Sequence, residues 1–248
     1  MSKLKLKDID TRAPKGMDKE KTKLKLAGML KELDELQNLL FAEAKHSVLI
    51  VIQGMDASGK DGLTRDVFTS MNPQGVNVFS YKVPTAEELA HDFLWRIHKN
   101  APAKGMIHVF NRSHYEDIVV TRVHGWTDDK TARKRMHAIN DFEKLLTEHN
   151  NTSILKFYLH ISPEEQMQRL EERMSVPEKM WKYNANDFAE SKLWDKYMHC
   201  YEDAFVHCNH IPWQIVPADQ NWYKSYLVAQ ALRNTLKGLN MKYPGMKK

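Results

Sequence analysis

Apolar positions recur along the chain with two different spacings, and together they predict an alternating α/β architecture. Between Leu26 and Leu40 they recur every three or four residues, so we expect an amphipathic helix over about 22–44. The continuous run HSVLIVIQ follows at 46–53. A short β-branched run bounded by polar residues is typical of a strand that is buried on both faces of a parallel sheet.

The same alternation continues to the C-terminus. We expect four more strands over about 76–81, 106–110, 154–161 and 213–216, and helices over about 60–71, 86–99, 130–149, 163–174, 186–208 and 222–239. Strands that alternate with helices of crossover length predict a five-stranded parallel sheet with helices on both faces. Since neither a repeat nor a flexible linker divides the sequence, we expect one domain over 1–248.

Composition narrows the function classes only partly. The chain has no apolar run near twenty residues and no secretory signal at its start, and its two cysteines, Cys200 and Cys208, provide no disulfide framework. We therefore expect a cytoplasmic protein with reduced thiols. The formal net charge of +5 favours an anionic partner such as a nucleotide, polyphosphate, a nucleic acid or a membrane surface.

The positive charge is concentrated near the N-terminus, where residues 1–21 form a basic arm. Eight lysines lie between residues 3 and 25, with few apolar neighbours: Lys3, Lys5, Lys7, Lys15, Lys19, Lys21, Lys23 and Lys25. This pattern predicts a solvated segment. It is interpreted either as a solubilising tail or as an arm that lies along a polyanionic substrate.

The strongest chemical signal is the segment GMDASGKDG, residues 54–62, which lies between the first strand and a helix. Its spacing matches most of the phosphate-loop pattern. Gly54, Gly59 and Gly62 allow close backbone approach, and the N–H groups from Ala57 through Ser58 to Lys60 would point towards an anion at the positive end of the helix. Lys60 would reach the terminal phosphates.

One position of the loop departs from the usual pattern. Asp61 stands where a Ser or Thr normally follows the lysine and holds Mg²⁺. Together with Asp56 it offers two hard oxygen ligands, which suit a Mg²⁺ ion that bridges substrate phosphates. The segment therefore predicts a phosphate cradle with a carboxylate-held metal ion.

Three further segments extend this pattern: FNRSHYED at 110–117, VPEKMWKYNANDFAESKLWDKYMHCYEDAF at 176–205 and PWQIVPADQNWYKS at 212–225. With GMDASGKDG, they resemble the signatures of the polyphosphate kinase type 2 family over about residues 20–240. The resemblance implies a thymidylate-kinase-like core that passes phosphate between polyphosphate and nucleotides. It also implies a requirement for Mg²⁺ (or Mn²⁺), a helical lid over about 173–192, and a homo-oligomer, dimer or tetramer.

The second signature departs from the family at Asn111, where an Asp is common. Because an amide is a poor metal ligand and a better partner for phosphate or water, we expect the metal ligands to be Asp56, Asp61 and Glu116. The form NRSHYED resembles the branch that accepts both AMP and ADP. Whether guanine nucleotides also serve is left open.

Further cations lie where a phosphate chain could meet them. Arg112 ends a strand, so it would clamp a phosphate unless it serves in a structural ion pair. We expect Asp56, Lys60 and Arg112 to be catalytic. The other predicted phosphate-binding cations are Lys82, Arg122, Arg133, Arg173, Lys179 and Lys182, and Arg169 belongs to the same group of cations before and within the lid. Those outside the lid are equally compatible with solvated helix faces.

Several alternatives remain open at this stage. An ATP-dependent nucleoside or nucleotide monophosphate kinase would share the loop but would usually carry Ser or Thr at position 61. A polyanion-binding regulatory protein is less favoured, and we expect neither nucleic-acid nor membrane partners. The cysteines and nearby histidines are interpreted as core residues, since Cys200 and Cys208 are two helical turns apart. Trp181, Trp194 and Tyr201 would either stack on a base or pack in the core.

Overall fold

The computed structural model describes residues 4–246. Its strands in chain order are β1 (Ser47–Gly54), β2 (Val76–Ser80), β3 (Ile107–Asn111), β4 (Thr152–His160) and β5 (Trp213–Pro217). All of them pair in parallel, in the spatial order β2-β3-β1-β4-β5. This confirms the predicted five-stranded parallel sheet. Strand β1 lies in the middle, and all of its residues are buried.

The helices in chain order are α1 (Lys19–Glu43), α2 (Lys60–Phe68), α3 (Ala86–Leu89), α4 (Trp95–His98), α5 (Val120–Val123), α6 (Asp129–Asn150), α7 (Pro163–Ser175), α8 (Pro177–Met180), α9 (Ala185–Ser191), α10 (Trp194–His207) and α11 (Asn221–Gly238). No helix in the described range is both long and apolar enough to cross a bilayer.

The order of the strands explains which helices cover which face. The chain moves from β1 to β2 in one direction across the sheet and from β3 to β4 in the other, so right-handed crossovers place α2 and α6 on opposite faces. α1 and α2 both pack against α11, whereas α10 packs against α6. The register pairs Ile52 with Asn111 and Gly54 with Leu159, so β1, β3 and β4 end at a common edge.

Two predicted helices are interrupted in the structure. The stretch 86–99 forms only α3 and α4, because the Asp92 side chain accepts from the Leu94 backbone N–H at 2.9 Å and favours a turn there. The stretch 186–208 is divided into α9 and α10 at Lys192 and Leu193, whose N–H groups bond three residues back. The predictions of two continuous helices were wrong.

The lysines of the N-terminal arm are exposed, as predicted, wherever the structure describes them (Lys3 lies outside it), but the arm is also docked on the fold at Leu6. Leu6 is fully buried, and its N–H donates to Glu202 at 2.8 Å. Lys5 pairs with the same carboxylate at 3.0 Å. Two isolated leucines among lysines produce no amphipathic period, so the sequence pattern does not reveal this docking.

Candidate active site

The phosphate loop connects β1 to α2 through a backbone that includes left-handed residues. Ala57 has φ +61° and Gly59 has φ +88°. A β-carbon at Gly59 would collide with the Lys224 ammonium group. The left-handed conformation favours glycine, and any other residue would also displace the Lys224 side chain. Ser58 is fully buried, and its hydroxyl has no hydrogen-bond partner within residues 4–246.

Lys60 lies inside this loop with its side chain folded back over it. Its Nζ donates to the Gly54 carbonyl at 2.7 Å and to the Met55 carbonyl at 3.0 Å, and only 7% of the residue is exposed. Burial lowers the pKa of Lys60 to about 8, an effect that nearby Arg112 reinforces and Asp56 opposes. The predicted phosphate-binding lysine is therefore a buried cation with a weakened hold on its proton.

Three side chains from later elements bond the outer carbonyls of the loop. Gln166 donates to the Asp56 carbonyl and Arg169 to the Ala57 carbonyl, each at 3.0 Å. Lys224 donates to the Gly59 carbonyl at 3.0 Å and to Asn221 Oδ1 at 2.9 Å. These bonds hold the loop carbonyls against α7 and α11. The Ser58 N–H, one of the groups predicted to face an anion, donates to the Met55 carbonyl at 3.1 Å in this structure.

Sequence reasoning did not identify Gln166 or Lys224 as functional, and it placed Arg169 only among the cations near the lid. No local motif marks these residues, because each is more than 100 positions away from the loop. Only the strand order brings them together: α7 follows β4, which is paired with β1, and α11 follows β5 at the next position.

Arg112 lies at the end of β3 and connects the two carboxylates of the site. Its Nη2 contacts Asp56 Oδ1 at 2.5 Å and its Nη1 contacts Glu116 Oε2 at 3.2 Å. Burial opposes ionisation of Asp56, but Lys60 and Arg112 outweigh it and lower the pKa of the carboxyl. Arg112 also adopts a left-handed φ of +63°, an uncommon conformation for a residue with a side chain. The predicted catalytic trio of Asp56, Lys60 and Arg112 is thus brought together.

Asp61 is held by Asn111. The amide nitrogen of Asn111 donates to Asp61 Oδ1 at 2.7 Å, while Asp61 Oδ2 faces Lys182 Nζ at 3.8 Å. Burial disfavours the charged carboxylate, but the Asn111 bond and Lys182 outweigh it and lower its pKa. Asn111 therefore orients a carboxylate in this structure, and its role as a partner for phosphate or water stays a prediction.

The structure does not gather the predicted metal ligands Asp56, Asp61 and Glu116 into one set of three. Among the described residues, no group of three or more His, Cys, Asp or Glu side chains is placed to hold a metal ion. Asp56 and Glu116 share Arg112, and Asp61 keeps one oxygen free of Asn111. One or two carboxylates with water and substrate phosphates as further ligands is the arrangement that Mg²⁺ usually adopts.

The segment predicted as the lid, residues 173–192, contains α8 and α9. Arg173 contacts Asp187 at 2.5 Å, and Lys179 contacts Glu172 at 2.5 Å. Lys182 lies over the Trp181 ring, which is 77% exposed. The segment therefore brings Lys182 close to the loop, whereas the charges of Arg173 and Lys179 are paired within the lid and α7.

The remaining predicted cations lie in two other environments. Lys82 follows β2 and is exposed, at the same sheet edge as Asn111. Arg122 pairs with Asp129 and Asp203, and Arg133 pairs with Asp203. The structure therefore does not bring Arg122 or Arg133 into contact with the loop, because carboxylates of α6 and α10 already neutralise them. Their part in phosphate binding stays a prediction.

The aromatic residues separate clearly into packed and free side chains. Tyr201 is buried and packs against Tyr158 at 4.6 Å between ring centroids, and Trp194 packs at the edge of the core. Trp181 is the exposed one of the three, and its Nε1 donates to the Glu178 carbonyl at 3.1 Å. Cys200 and Cys208 are buried free thiols, as expected for core residues.

A buried ion pair packs against the segment FNRSHYED (residues 110–117) and holds it in place. Lys156 of β4 contacts Glu143 of α6 at 2.7 Å, and both side chains are fully buried. Tyr115 donates to Glu143 at 2.8 Å and accepts from Lys156 at 2.9 Å. Because each member is bonded to the other two, the turn that carries Arg112 and Glu116 has a fixed base.

Comparison with known proteins agrees with this geometry. The family model for polyphosphate kinase 2 matches residues 16–244. The chain is 48% identical to an AMP/ADP-polyphosphate phosphotransferase of Meiothermus ruber, over 88% of this chain and 82% of that protein. It is 42% identical to an ADP-polyphosphate phosphotransferase of Rhodopseudomonas palustris, over 88% and 80%. The crystal structure of a polyphosphate kinase 2 from Arthrobacter aurescens superposes with a TM-score of 0.96 and 42% identity, covering 100% of this chain and 90% of that one.

Proposed function

The chain belongs to the polyphosphate kinase 2 family, and we propose that it transfers phosphate from inorganic polyphosphate to AMP and ADP, forming ADP and ATP, in a reversible reaction that requires Mg²⁺. The observation that carries the proposal is the convergence of Lys60, Arg112 and the carboxylates of Asp56 and Asp61 at one sheet edge. Phosphoryl transfer needs placement of two phosphates and compensation of their charge, and this edge supplies both.

The phosphate loop would hold one end of the transfer. The buried Ser58 hydroxyl has no partner among the described residues, and the carbonyls of the loop are already bonded by Gln166, Arg169 and Lys224. An incoming phosphate therefore meets N–H and O–H donors. Lys60 would exchange its bonds with the Gly54 and Met55 carbonyls for bonds with phosphate oxygens.

Arg112 would hold the transferring phosphate from the other side. Its guanidinium already lies between Asp56 and Glu116, which fix its plane, and its fork geometry suits two phosphate oxygens. Lys82, exposed at the same edge, would meet the phosphate of the acceptor nucleotide. Positive charge from both sides would then stabilise the phosphate oxygens during transfer.

Asp56 and Asp61, through the oxygen that faces Lys182, are the residues that would hold Mg²⁺, and Glu116 would orient Arg112 or complete the set through water. When bound, the ion would neutralise phosphate charge and bridge neighbouring phosphates. Mn²⁺ offers similar chemistry. Arg173, Lys179 and Lys182 would cover the donor from the lid. A cytoplasmic location and a homo-oligomeric assembly are part of the same proposal.

The test is an assay with purified protein, Mg²⁺, ADP and polyphosphate, with no ATP present. We expect ATP to form, and we expect ADP to form when AMP is the acceptor. A parallel reaction with ATP and AMP but no polyphosphate measures ATP-dependent monophosphate kinase activity, and a reaction with GDP measures base selectivity. Removal of divalent cations with a chelator should stop the reaction. If no metal condition yields ATP from ADP and polyphosphate, the proposal is wrong.

A further inference from the structure

A basic cavity of about 490 Å³ opens between the N-terminal arm, the start of α1 and the start of α11. It is lined by Arg12, Lys19, Lys23, Gln220, Asn221 and Trp222. Half of these residues are cations and none is acidic. The carboxylates next to it are Asp219, 3.7 Å from Arg12, and Glu20, 3.0 Å from Lys23.

The arm is fixed on both sides of Arg12. Thr11 Oγ1 donates to Asp219 Oδ2 at 2.8 Å, and the Asp219 N–H donates to the Thr11 carbonyl at 3.0 Å. The Ala13 N–H donates to Gln220 Oε1 at 2.9 Å. Arg12 is therefore held against the start of α11 by the backbone on either side of it, while its own side chain stays 61% exposed.

The cations of this cavity are only partly neutralised, because Asp18 caps α1 and Glu20 lies in its first turn, but neither carboxylate lines the cavity. Lys19 and Lys23 lie one helical turn apart at the start of α1, where cations oppose the helix dipole. Within the described residues, the first turn of α11 has neither an acidic residue nor a side-chain cap. Its N-cap residue, Gln220, bonds the arm instead. An anion in the cavity would relieve both arrangements.

The basic cavity adjoins the phosphate loop. Asn221, which lines the cavity, accepts from Lys224, and Lys224 bonds the Gly59 carbonyl. A β-carbon built on Gly59 would lie 3.5 Å from Asn221 Oδ1. Arg169 forms a second link, since it donates to the carbonyls of both Asp219 and Ala57. Because both links reach carbonyls on the outer side of the loop, only an anion that extends past the loop would reach this cationic surface.

We infer that the basic cavity binds the part of a polyphosphate chain distal to its reacting end, so that Arg12, Lys19 and Lys23 select for long donors. This inference rests on the proposed function. A chain with one negative charge per unit releases counterions from each contact, so every cation at the cavity adds to affinity only when the donor is long enough to reach it.

The experiment compares the triple variant Arg12→Gln, Lys19→Gln, Lys23→Gln with a matched control, Lys45→Gln, Lys104→Gln, Lys144→Gln. The control removes the same charge from exposed positions at or near the opposite edge of the sheet. ATP formation from ADP is measured with long-chain polyphosphate and with tripolyphosphate at several salt concentrations. Binding of long-chain polyphosphate without nucleotide is measured in parallel, and thermal unfolding verifies that both variants fold.

For the cavity variant, we expect the KM for long-chain polyphosphate to rise about tenfold. The slope of log KM against log salt should decrease by about two, because each lost phosphate contact lowers this slope by roughly 0.7–0.9. The KM for tripolyphosphate should change much less. Equal effects on both donors, or an equal effect of the control, would overturn the inference. If the wild type is active and the cavity variant has the same KM values, this inference alone is contradicted. If the wild type is inactive, the proposed function is contradicted.

Discussion

The phosphate loop and the lid segment (residues 173–192) both present cations to the site, but they are held in different ways. Around the loop, buried or half-buried side chains of α7 and α11 bond backbone carbonyls, and Lys60 is enclosed within it. The lid is held mainly by ion pairs between side chains, such as Arg173 with Asp187, and it leaves Trp181 exposed.

This difference indicates a division of labour. Donors that are fixed before the substrate arrives stabilise charge in the transition state without reorganisation. Exposed ion pairs such as Lys179 with Glu172 contribute only about 0–1 kcal/mol, so their cations transfer to a substrate at small cost. We therefore expect changes in the loop to reduce turnover and changes in the lid to weaken substrate binding.

The largest effect is expected from Lys60→Met, which removes the buried cation of the loop. We expect kcat for ATP formation from ADP and polyphosphate to fall about 10³-fold, because a preorganised charge at the transferring phosphate is lost. Lys45→Met, at the opposite edge of the sheet, serves as the control and should retain wild-type activity. Turnover within tenfold of the wild type would show that Lys60 is not part of the machinery.

A smaller loss of kcat is expected from Lys224→Met, because Lys224 bonds the outer side of the loop. Without the bond to the Gly59 carbonyl, the loop amides lose their alignment, and kcat should fall about 10- to 100-fold while the KM for ADP changes little. Lys224→Arg should restore part of the activity. If the KM for ADP rises while kcat is unchanged, Lys224 does not position the loop.

Stability against pH gives Lys224 an independent readout. Burial lowers the pKa of Lys224 to about 7, well below the value of an unfolded lysine. Between that pH and about 10 the unfolded chain binds the proton and the folded chain does not, so folding becomes more favourable as pH rises. The free energy of unfolding of the wild type, relative to Lys224→Met, should therefore increase over this window. Parallel curves for the two proteins would contradict a buried, titrating lysine.

The loop could be predicted from sequence because its parts are local. HSVLIVIQ and GMDASGKDG are consecutive, so a strand, a glycine turn and a helix start follow from hydrophobicity and glycine spacing alone. The supports of the loop could not be predicted in this way. Lys224 and Arg169 look like ordinary helix-surface cations, and only the strand order, which depends on long-range pairing, places them beside β1.

The second limit on prediction from sequence is that the charged partners of a side chain can come from distant elements. Arg122 follows the second signature closely, which favoured a phosphate contact, but Asp203 comes from a helix about 80 positions later and pairs with it. The docked arm shows the same limit, because Leu6 reaches its buried position, with its N–H bonded to Glu202 of α10, only in the folded chain. Sequence patterns report periodicity within an element and say little about which charges meet between elements.

The expectation that lid residues act on substrate binding is tested by substituting each member of the Arg173–Asp187 pair in turn. Arg173→Gln removes a predicted phosphate contact, so we expect the KM for polyphosphate to rise about tenfold, as for the loss of one charged hydrogen bond. Asp187→Asn leaves Arg173 in place and removes a competing charge, while the new amide oxygen can still accept from Arg173, so its KM should stay within about threefold of the wild type or fall. If both variants lose activity equally, the pair is structural and the lid is as preorganised as the loop.

The smallest effect concerns pH and tests whether the loop is preorganised in its charged form. Because the pKa of Lys60 is lowered to about 8, the free enzyme loses this charge as pH rises through that value, and kcat/KM for polyphosphate should fall there. Bound phosphate raises the pKa of the lysine, so kcat should begin to fall only at higher pH. In Lys60→Arg the guanidinium remains charged throughout, and whatever activity it retains should show no such fall near pH 8. An identical fall in that variant would assign the titration to another group and would leave the charge of the loop lysine constant over this range.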